Sequence, residues 1–229
     1  MPESNEIPVP LSDSHHVMAD HAMTTLKTAA HVLSVMEVDL SRVLDHQAVH
    51  VGEFRRAGLD PVSATPYLVR AVATALPAHR IANSTLLKDQ LIYHGPIHVG
   101  VALHSDSAQV VPVIRDADRL DLFEIARHLA ELTIRLRLGQ LTAADFEGGT
   151  VTVVDLGPFG DLFGMPLLIQ QPQAAVVGLG RVQKRAVIVD DAIHIRPMAY
   201  LCINIDHRMM DGYTADQFLG AVKQNLENV

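Results

Sequence analysis

The chain of 229 residues contains no tryptophan and a single cysteine, Cys202. A lone cysteine excludes both a disulfide framework and a metal site built from several thiolates. Because Cys202 lies in the apolar run MAYLCINI, we expect it to be a buried small hydrophobic residue. The sequence also lacks an apolar run of about 18 residues and any signal-peptide pattern in its first segment, MPESNEIPVPLSDSHH. We therefore expect no membrane association and a cytoplasmic location.

Positive charge is scarce as well. The chain has 18 Lys and Arg residues against 26 Asp and Glu residues, which gives a formal net charge of -8. A surface of this sign repels nucleic-acid backbones and anionic lipids, so we expect no nucleic-acid partner. A local basic patch for one phosphorylated co-substrate is compatible with this charge.

Thirteen histidines raise the question of a metal site. His15, His16 and His21 lie close together, but no HExxH motif, paired cysteines or carboxylate-rich loop accompanies them. We therefore predict no metal site. Other common motifs are incomplete, because GLGRVQKRA lacks the GxGxxG spacing, GPFGDLFG lacks the Lys-Ser/Thr of a phosphate loop, and no GxSxG occurs.

Nearly half of the residues, 48%, are apolar, which is enough for a sizeable core. We expect residues 1–12 to form a flexible tail and residues 13–229 to form a single α+β domain with a mixed sheet. Hydrophobic periodicity predicts helices over about 13–29, 41–58, 63–76, 122–139 and 214–226. It predicts strands over about 31–40, 90–94, 97–104, 108–114, 149–157, 173–182, 185–195 and 198–205, with the polar turn SDS at 105–107.

The segment INIDHRMMDG, residues 203–212, contains side chains that can carry chemistry. We expect a strand to deliver His207 to an edge of the sheet, Asp211 and Gly212 to turn the chain, and Asp216 to lie in the first turn of a helix. A neutral imidazole accepts a proton near neutral pH, so His207 is a candidate general base toward a hydroxyl or thiol. Asp211 would orient the site or anchor an arginine. The alternative is that the His-x-x-x-Asp spacing arises by chance and only marks a turn.

The segment DHRMMDG resembles the signature of the catalytic domain of dihydrolipoyl acyltransferases, the cores of 2-oxoacid dehydrogenase complexes. Its His-x-x-x-Asp-Gly kernel is shared with chloramphenicol acetyltransferase. HVLSVMEVDLSRV, GQLTAADFEGGTVTV, LGPFG and QAAVVGLGRVQKRAVIVDDAIHIRPMAYL follow the family in order, so the resemblance covers about residues 8–228. It implies a chloramphenicol acetyltransferase-like sandwich, with a central mixed β-sheet flanked by helices. It also implies a homotrimer with active sites at subunit interfaces.

The resemblance implies a CoA-dependent acyltransferase that uses acetyl-CoA or another acyl-CoA as co-substrate, without a tightly bound cofactor. His207 would be the general base that deprotonates the acceptor for direct attack on the thioester, and Asp211 would be structural. Arg181, in GLGRV, matches a basic position that lies near CoA in relatives. The alternative for Arg181 is a solvated hairpin charge.

One departure from the family concerns the oxyanion. The family usually has serine in GGTxTxSNLG, where its hydroxyl donates to the tetrahedral intermediate, whereas this chain has Val154 there and Asp155 at the asparagine. Losing one such donor typically costs about 10²- to 10³-fold in rate. Thr152, on the same strand face, is a candidate donor, and Arg208 and Gly212 are further candidates for supporting the site. Backbone N–H groups and a substrate hydroxyl are also candidate donors.

A second departure concerns the cation that pairs with the motif aspartate. The family's N-terminal helix carries two arginines, and His15 and His21 stand at those positions here. Asp211 therefore needs another cation, for which a charged His15 or Arg208 are the candidates.

The sequence contains no lipoyl domain and ends at QNLENV, without the apolar extension that joins family trimers into larger cores. We therefore expect a free trimer that acts on a small-molecule acceptor other than lipoamide. The most specific hypothesis is O-acetylation of the exocyclic hydroxyl of a tetronate in polyketide antibiotic biosynthesis. The competing hypotheses are another small alcohol, amine or thiol as acceptor, or a non-catalytic trimeric scaffold.

Overall fold

The computed structural model describes residues 7–56, 58–59, 63–104, 109–160 and 168–229. Helices in these ranges are α1 (Asp13–Thr28), α2 (Ser41–Val49), α3 (Val51–Arg56), α4 (Thr65–Ala75), α5 (Leu122–Arg137) and α6 (Gly212–Glu227). The strands are β1 (His31–Asp39), β2 (Ser84–Leu87), β3 (Gln90–Tyr93), β4 (Val99–Val101), β5 (Leu103–His104), β6 (Gln109–Val110), β7 (Val113–Ile114), β8 (Val151–Asp155), β9 (Ala175–Leu179), β10 (Gln183–Val189) and β11 (Ala192–Asp206). Short 3₁₀ helices occupy Arg80–Asn83, Ala143–Asp145 and Gly157–Phe159.

One mixed sheet forms the centre of the fold. Its strand order is β1-β11-β9-β8-β4-β7, and β10 pairs with the first half of β11. The β4–β8 and β8–β9 pairs are parallel, whereas the other pairs of this sheet are antiparallel. Two small sheets, β2-β3 and β5-β6, lie outside it. The predicted α+β architecture with a mixed sheet is confirmed.

Strand β11 is longer than predicted. The sequence indicated two separate strands, over 185–195 and 198–205, but β11 runs unbroken from Ala192 to Asp206. Proline lacks an N–H donor and is therefore uncommon inside a paired strand. Pro197 instead stands opposite Lys184 of β10, and the next residue, Met198, pairs with Gln183 of β10 and also with Asp39 at the end of β1. The strand therefore continues through the proline.

Helices cover one face of the sheet. Helix α6 packs on β1 and β11, and α4 packs between α6, β8, β4 and α5. The residues Leu201, Ile203 and Ile205 of β11 and Phe218, Leu219 and Val222 of α6 have 0–1% of their surface exposed. Their burial supplies the main apolar core. All five residues predicted to share one face of α4, namely Tyr67, Leu68, Ala71, Val72 and Leu76, are buried.

The opposite face of the sheet is only partly covered. Val154, Ile169, Val176 and Cys202 form a second, small apolar cluster there. Toward the β1 edge, Leu33 and Val35 lie on the same face and remain 38% and 40% exposed. Helix α1 contributes further exposed apolar side chains: Val17, Met18, Met23 and Leu26. The chain therefore presents an apolar surface that its own helices leave uncovered.

Two predicted helices have different bounds. The helix predicted over 41–58 is divided into α2 and α3, and His50 between them is the C-cap of α2. The last helix begins at Gly212, two residues earlier than predicted. Asp216 therefore lies beyond the first turn, which contains no acidic residue, and its predicted place in that turn is wrong. The predicted SDS turn and part of the predicted tail, residues 1–6, lie outside the described residues.

Among the helices of the described residues, none combines the length and the apolar character needed to cross a membrane.

Candidate functional site

His207 lies directly after the last residue of β11, at the end of the sheet where the last residue of β11 pairs with the first residue of β1. Its main-chain N–H donates to the carbonyl oxygen of Ala30 at 2.8 Å. The N–H groups of Met209 and Met210 donate back to the carbonyl oxygen of Asp206 at 2.9 and 3.3 Å, which closes a tight turn around His207. The imidazole is exposed. A rigid main chain thus presents a ring that a substrate can reach from outside this chain.

Asp211 forms the N-cap of α6. Its backbone is extended, with φ of -87° and ψ of 171°, and its side chain accepts from the N–H of Thr214 at 2.8 Å. The hydrogen bonding by Thr214 holds the pKa of Asp211 below its ordinary value, and nearby His207 lowers this pKa further. This arrangement is what a structural aspartate provides at the start of a helix. Its predicted role in supporting the site stays a prediction.

The cation beside this turn pairs with a different carboxylate. The guanidinium of Arg208 contacts Asp206 through Nε and Nη2, and the shortest contact, from Nη2 to Oδ2, is 2.5 Å. Burial opposes ionisation of Asp206, but the hydrogen bonds from Arg208 and Ala30 outweigh it, so the pKa of Asp206 is lowered. The same bond raises the pKa of Arg208. Arg208 therefore pairs with Asp206 and not with Asp211, although the sequence made it one of two candidate cations for Asp211.

The other candidate, His15, does not reach Asp211 within the chain either. Its Nδ1 lies 2.7 Å from the hydroxyl of Ser12, at the start of α1. Across the described ranges no ion pair joins Asp211 to a cation.

Thr152 and Val154 point from β8 toward the partly covered face of the sheet. Only 3% of Thr152 is exposed, and its hydroxyl donates to Oε1 of Gln173 at 2.7 Å. The Gln173 amide nitrogen in turn donates to the carbonyl oxygen of Gly149 at 3.0 Å. Val154 is 7% exposed and packs in the apolar cluster with Ile169. In this arrangement the Thr152 hydroxyl already donates its hydrogen bond to Gln173, and Val154 lies among apolar side chains.

Asp155 ties the end of β8 to α4. Its Oδ2 accepts from the hydroxyl of Thr65 at 2.7 Å, and its Oδ1 accepts from the N–H of Gly157 at 3.0 Å. Burial raises the pKa of this carboxyl group despite these two bonds. Arg181 lies in the adjacent turn between β9 and β10, exposed, with its α-carbon 3.6 Å from the position that a Cβ on Gly157 would take. Arg181 thus belongs to the end of the sheet where β8 and β9 finish.

The strand register separates these groups from His207 of the same chain. Thr152 aligns with Val176 and then with Asn204, which places it two strands and three residues from His207, about 14 Å away. Val154 aligns with Gly178 and Cys202, which makes the separation about 19 Å. Arg181 is farther still, at about 25 Å along the sheet. One chain therefore does not bring the predicted base, the oxyanion position and the predicted CoA contact together.

Cys202 is fully buried in the apolar cluster, as predicted. Burial raises the pKa of its thiol to about 11, so the thiol stays protonated at neutral pH. Among the side chains that the structure describes, no three His, Cys, Asp or Glu residues are placed to share a metal ion.

Two residues of this region were missed by reasoning from the sequence. Asp206 stands immediately before the histidine, and Gln173 binds the threonine that was named as a donor. A signal for Asp206 was available, because Asp206 and Arg208 carry opposite charges and stand two positions apart at a strand end, where side chains at this spacing lie on the same side of the chain. Gln173 gave no signal, since 21 residues separate it from Thr152.

Comparison with known proteins gives consistent matches. Residues 3–229 match the model of a family described as 2-oxoacid dehydrogenases acyltransferase (catalytic domain). The succinyltransferase component of the 2-oxoglutarate dehydrogenase complex of Rickettsia felis is 32% identical over 220 residues, 96% of this chain and 55% of that protein. The lipoamide acyltransferase component of the branched-chain alpha-keto acid dehydrogenase complex of Bacillus subtilis is 32% identical over 222 residues, 96% and 52% of the two. The chain thus spans about half the length of these curated relatives.

Solved structures agree with the fold. A probable dihydrolipoamide acetyltransferase from Listeria monocytogenes superposes with a TM-score of 0.94 at 34% identity, covering 98% of this chain and 95% of that one. A chloramphenicol acetyltransferase superposes with a TM-score of 0.55 at 14% identity, over 90% of this chain and 94% of that one, which bears on the fold alone. The predicted chloramphenicol acetyltransferase-like fold is confirmed.

Proposed function

Because the chain belongs to the family of 2-oxoacid dehydrogenase acyltransferase catalytic domains, we propose that it transfers an acyl group from an acyl-CoA to a thiol or hydroxyl acceptor, with His207 as general base. The observation that carries this proposal is the exposed imidazole of His207, held by main-chain bonds from Ala30 on one side and by the turn before α6 on the other. The proposed catalytic unit is residues 13–229, beginning with α1.

In the proposed reaction, the neutral imidazole of His207 takes the proton of the acceptor O–H or S–H while that atom attacks the thioester carbon. The carbon–sulfur bond to CoA then breaks, the acyl group stays on the acceptor, and the imidazolium returns its proton to the departing sulfur. General base catalysis of this kind contributes about 10²- to 10⁴-fold in rate. No enzyme nucleophile is needed, and the protonated, buried thiol of Cys202 supports direct transfer.

The acyl group has no single candidate. The relative from Rickettsia felis is named for succinyl transfer and the structure from Listeria monocytogenes for acetyl transfer, at closely similar identity to this chain. We therefore propose acetyl-CoA or another acyl-CoA as co-substrate, without a tightly bound cofactor. Arg181 is the proposed basic contact for the CoA, at the end of β9.

The complete site is proposed to lie between copies of the chain, in a homotrimer. The support is geometric, because His207 and Val154 of one chain are about 19 Å apart, too far to share one reaction centre. A second copy that covers the exposed Leu33 and Val35 can bring its own His207 to the β8 end of its neighbour. This arrangement also buries apolar surface that is otherwise open to water.

Stabilisation of the oxyanion needs a donor other than Val154. The Thr152 hydrogen is given to Gln173, and two of the Arg208 nitrogens contact Asp206. The N–H of Gly212 stands in the first turn of α6, next to the turn that carries His207, where main-chain donors have no partner within the helix. Gly212 is therefore the proposed donor or support, ahead of Thr152 and Arg208.

The proposed acceptor is the thiol of a dihydrolipoyl group, because the relatives described above are named for lipoyl-linked acyl transfer. The second candidate is a small-molecule hydroxyl, of which the exocyclic hydroxyl of a tetronate is the specific case predicted from the sequence. Val154 favours this second candidate, since it replaces the serine that the resemblance leads one to expect in lipoyl-linked enzymes. None of the relatives described above is named for a tetronate, a polyketide or an antibiotic, so this case stays a prediction.

The test measures release of CoA from acetyl-CoA and succinyl-CoA with dihydrolipoamide and with a tetronate alcohol as acceptors. We expect turnover with one acceptor and a loss of at least about 10²-fold in kcat for His207→Ala, as for removal of a general base. Undiminished turnover in His207→Ala would reject the proposed base. No CoA binding by calorimetry and no turnover with either acceptor would favour the non-catalytic scaffold instead.

A further inference from the structure

The mechanism above makes no use of Asp206, although this residue directly precedes His207. Only 1% of Asp206 is exposed, so its carboxylate lies almost entirely out of water. A buried carboxylate is retained in a fold only where hydrogen bonds and an opposite charge compensate for lost hydration. The groups that compensate Asp206 are therefore informative about what the carboxylate holds in place.

All of these groups belong to the segments that carry His207. Oδ1 accepts from the N–H of Ala30 at 3.2 Å, from the N–H of Arg208 at 3.1 Å and from Nε of Arg208 at 2.9 Å. Oδ2 accepts from Nε and Nη2 of Arg208 at 3.1 and 2.5 Å. Two-point contact of this kind fixes both the distance and the plane of the guanidinium, which a lysine cannot do.

These bonds enclose His207 on both sides in the sequence. The residue before it and the residue after it are joined to each other, and its own N–H is bonded to Ala30, whose N–H is bonded to Asp206. Asp211 has a different task, because its carboxylate caps α6 through Thr214. The carboxylate that constrains the His207 turn directly is thus Asp206.

We propose that the Asp206–Arg208 ion pair is the positioning device for His207, holding the main chain of the turn so that the imidazole meets the acceptor in a reactive orientation. This inference rests on the proposed role of His207 as general base. Asp206 and Arg208 act through His207 and are positioning residues. A misplacement of about 1 Å at a reacting group can cost about 10²-fold in rate. Removing the ion pair is therefore expected to lower kcat.

The experiment compares Asp206→Asn, Arg208→Gln and Arg208→Lys with a matched control. The control is Arg135→Gln, because Arg135 makes a similar two-point pair with Asp145, at 2.9 and 2.6 Å, at the far end of α5. We expect Asp206→Asn and Arg208→Gln to lower kcat by about 10- to 100-fold, with KM for the acyl-CoA within about threefold of wild type. Arg208→Lys keeps the charge without the two-point contact and should fall between Arg208→Gln and wild type. Arg135→Gln should keep wild-type kcat.

Three further measurements separate positioning from folding. Arg208→Gln leaves the buried Asp206 carboxylate without its opposite charge and is expected to unfold at a lower temperature, whereas Arg208→Lys keeps a positive charge beside Asp206 and should unfold at a temperature closer to that of wild type. Adding Asp206→Asn to His207→Ala should leave the residual rate unchanged, because a residue that acts through His207 has nothing left to position. Adding guanidinium at non-denaturing concentration to Arg208→Gln should restore part of kcat.

The outcomes distinguish the two proposals. If His207→Ala keeps its activity, the proposed base is wrong. If His207→Ala is inactive while both Arg208 variants have wild-type kcat, the positioning inference alone is overturned. It is also overturned if the loss falls on KM for the acyl-CoA, or if Asp206→Asn lowers the residual rate of His207→Ala further.

Discussion

Residue 154 illustrates how one side chain constrains both stability and chemistry. Val154 packs against Ile169, Val176 and Cys202, and these four residues are 0–7% exposed. The aliphatic members of this cluster cannot pair with a hydroxyl at this position, and the thiol of Cys202 donates to the carbonyl oxygen of Gly178 at 3.4 Å. The valine is thus part of an apolar contact that a serine would disturb.

We expect Val154→Ser to lower the free energy of unfolding by about 1–3 kcal/mol more than Val154→Ala, because only serine adds a buried hydroxyl without a partner. Urea denaturation of the two variants measures this difference, and the alanine variant controls for the lost methyl groups. Equal stability of the two variants would show that residue 154 has a polar partner. A strong rise in acyl-transfer rate in the serine variant would place its hydroxyl at the oxyanion.

At the scale of elements, α2 is joined to α4 by a pair of rings. Nδ1 of His46 lies 2.9 Å from the hydroxyl of Tyr67, and the His46 ring stacks on His50 at a centroid distance of 4.1 Å. Burial lowers the pKa of His46, His50 lowers it further, and Glu53 opposes both effects. Burial also raises the pKa of Tyr67 to about 12, so its hydroxyl keeps its proton. The contact is therefore built for a neutral imidazole.

This contact predicts a loss of stability in mild acid. Because the pKa of His46 is lower in the folded chain than the ordinary value of 6.5, the unfolded chain binds the proton first as the pH falls below about 6.5. The contribution of neutral His46 to the free energy of unfolding is complete above that pH and is lost as the pH falls toward the pKa of His46 in the folded chain. We expect the free energy of unfolding to fall less between pH 7 and 5 in His46→Gln than in wild type, measured by urea denaturation. The exposed His194→Gln is the control, and equal slopes in all three proteins would contradict the prediction.

At the scale of the molecule, the sheet has one face covered by α2, α4, α5 and α6 and one that is only partly covered. The groups assigned to the proposed site lie at opposite ends of this sheet in one chain. Activity and assembly are therefore expected to depend on each other.

We expect Val35→Asp to dissociate the proposed trimer and to lower acyl transfer by more than about tenfold, because it puts a charge on the 40%-exposed apolar face proposed to be covered by a second copy. Sedimentation velocity and CoA release measure the two effects, with circular dichroism to check folding. Ile134→Asp is the matched control, since Ile134 is 55% exposed on α5, on the helical side. A Val35→Asp protein that remains trimeric and active would contradict the proposed interface.

The sequence by itself determined the features that depend on neighbours along the chain. Alternating residues predicted β1, helical periodicity and Gly139 predicted α5, and the apolar run around Cys202 predicted its burial. The turn predicted at Asp211 and Gly212 lies earlier, at residues 207–209, and α6 begins two residues before its predicted start because Asp211 is itself the N-cap. These features follow from local backbone preferences and from the spacing of apolar side chains.

Only the tertiary structure decided which polar groups meet. The pairing of Thr152 with Gln173, of Asp155 with Thr65 and of Asp206 with Ala30 joins residues that are 21, 90 and 176 positions apart. The separation of His207 from Val154 likewise follows from the register of β8, β9 and β11, which no local pattern encodes. Strand register is set by which apolar faces bury one another across the whole sheet, so these distances exist only once the sheet has formed.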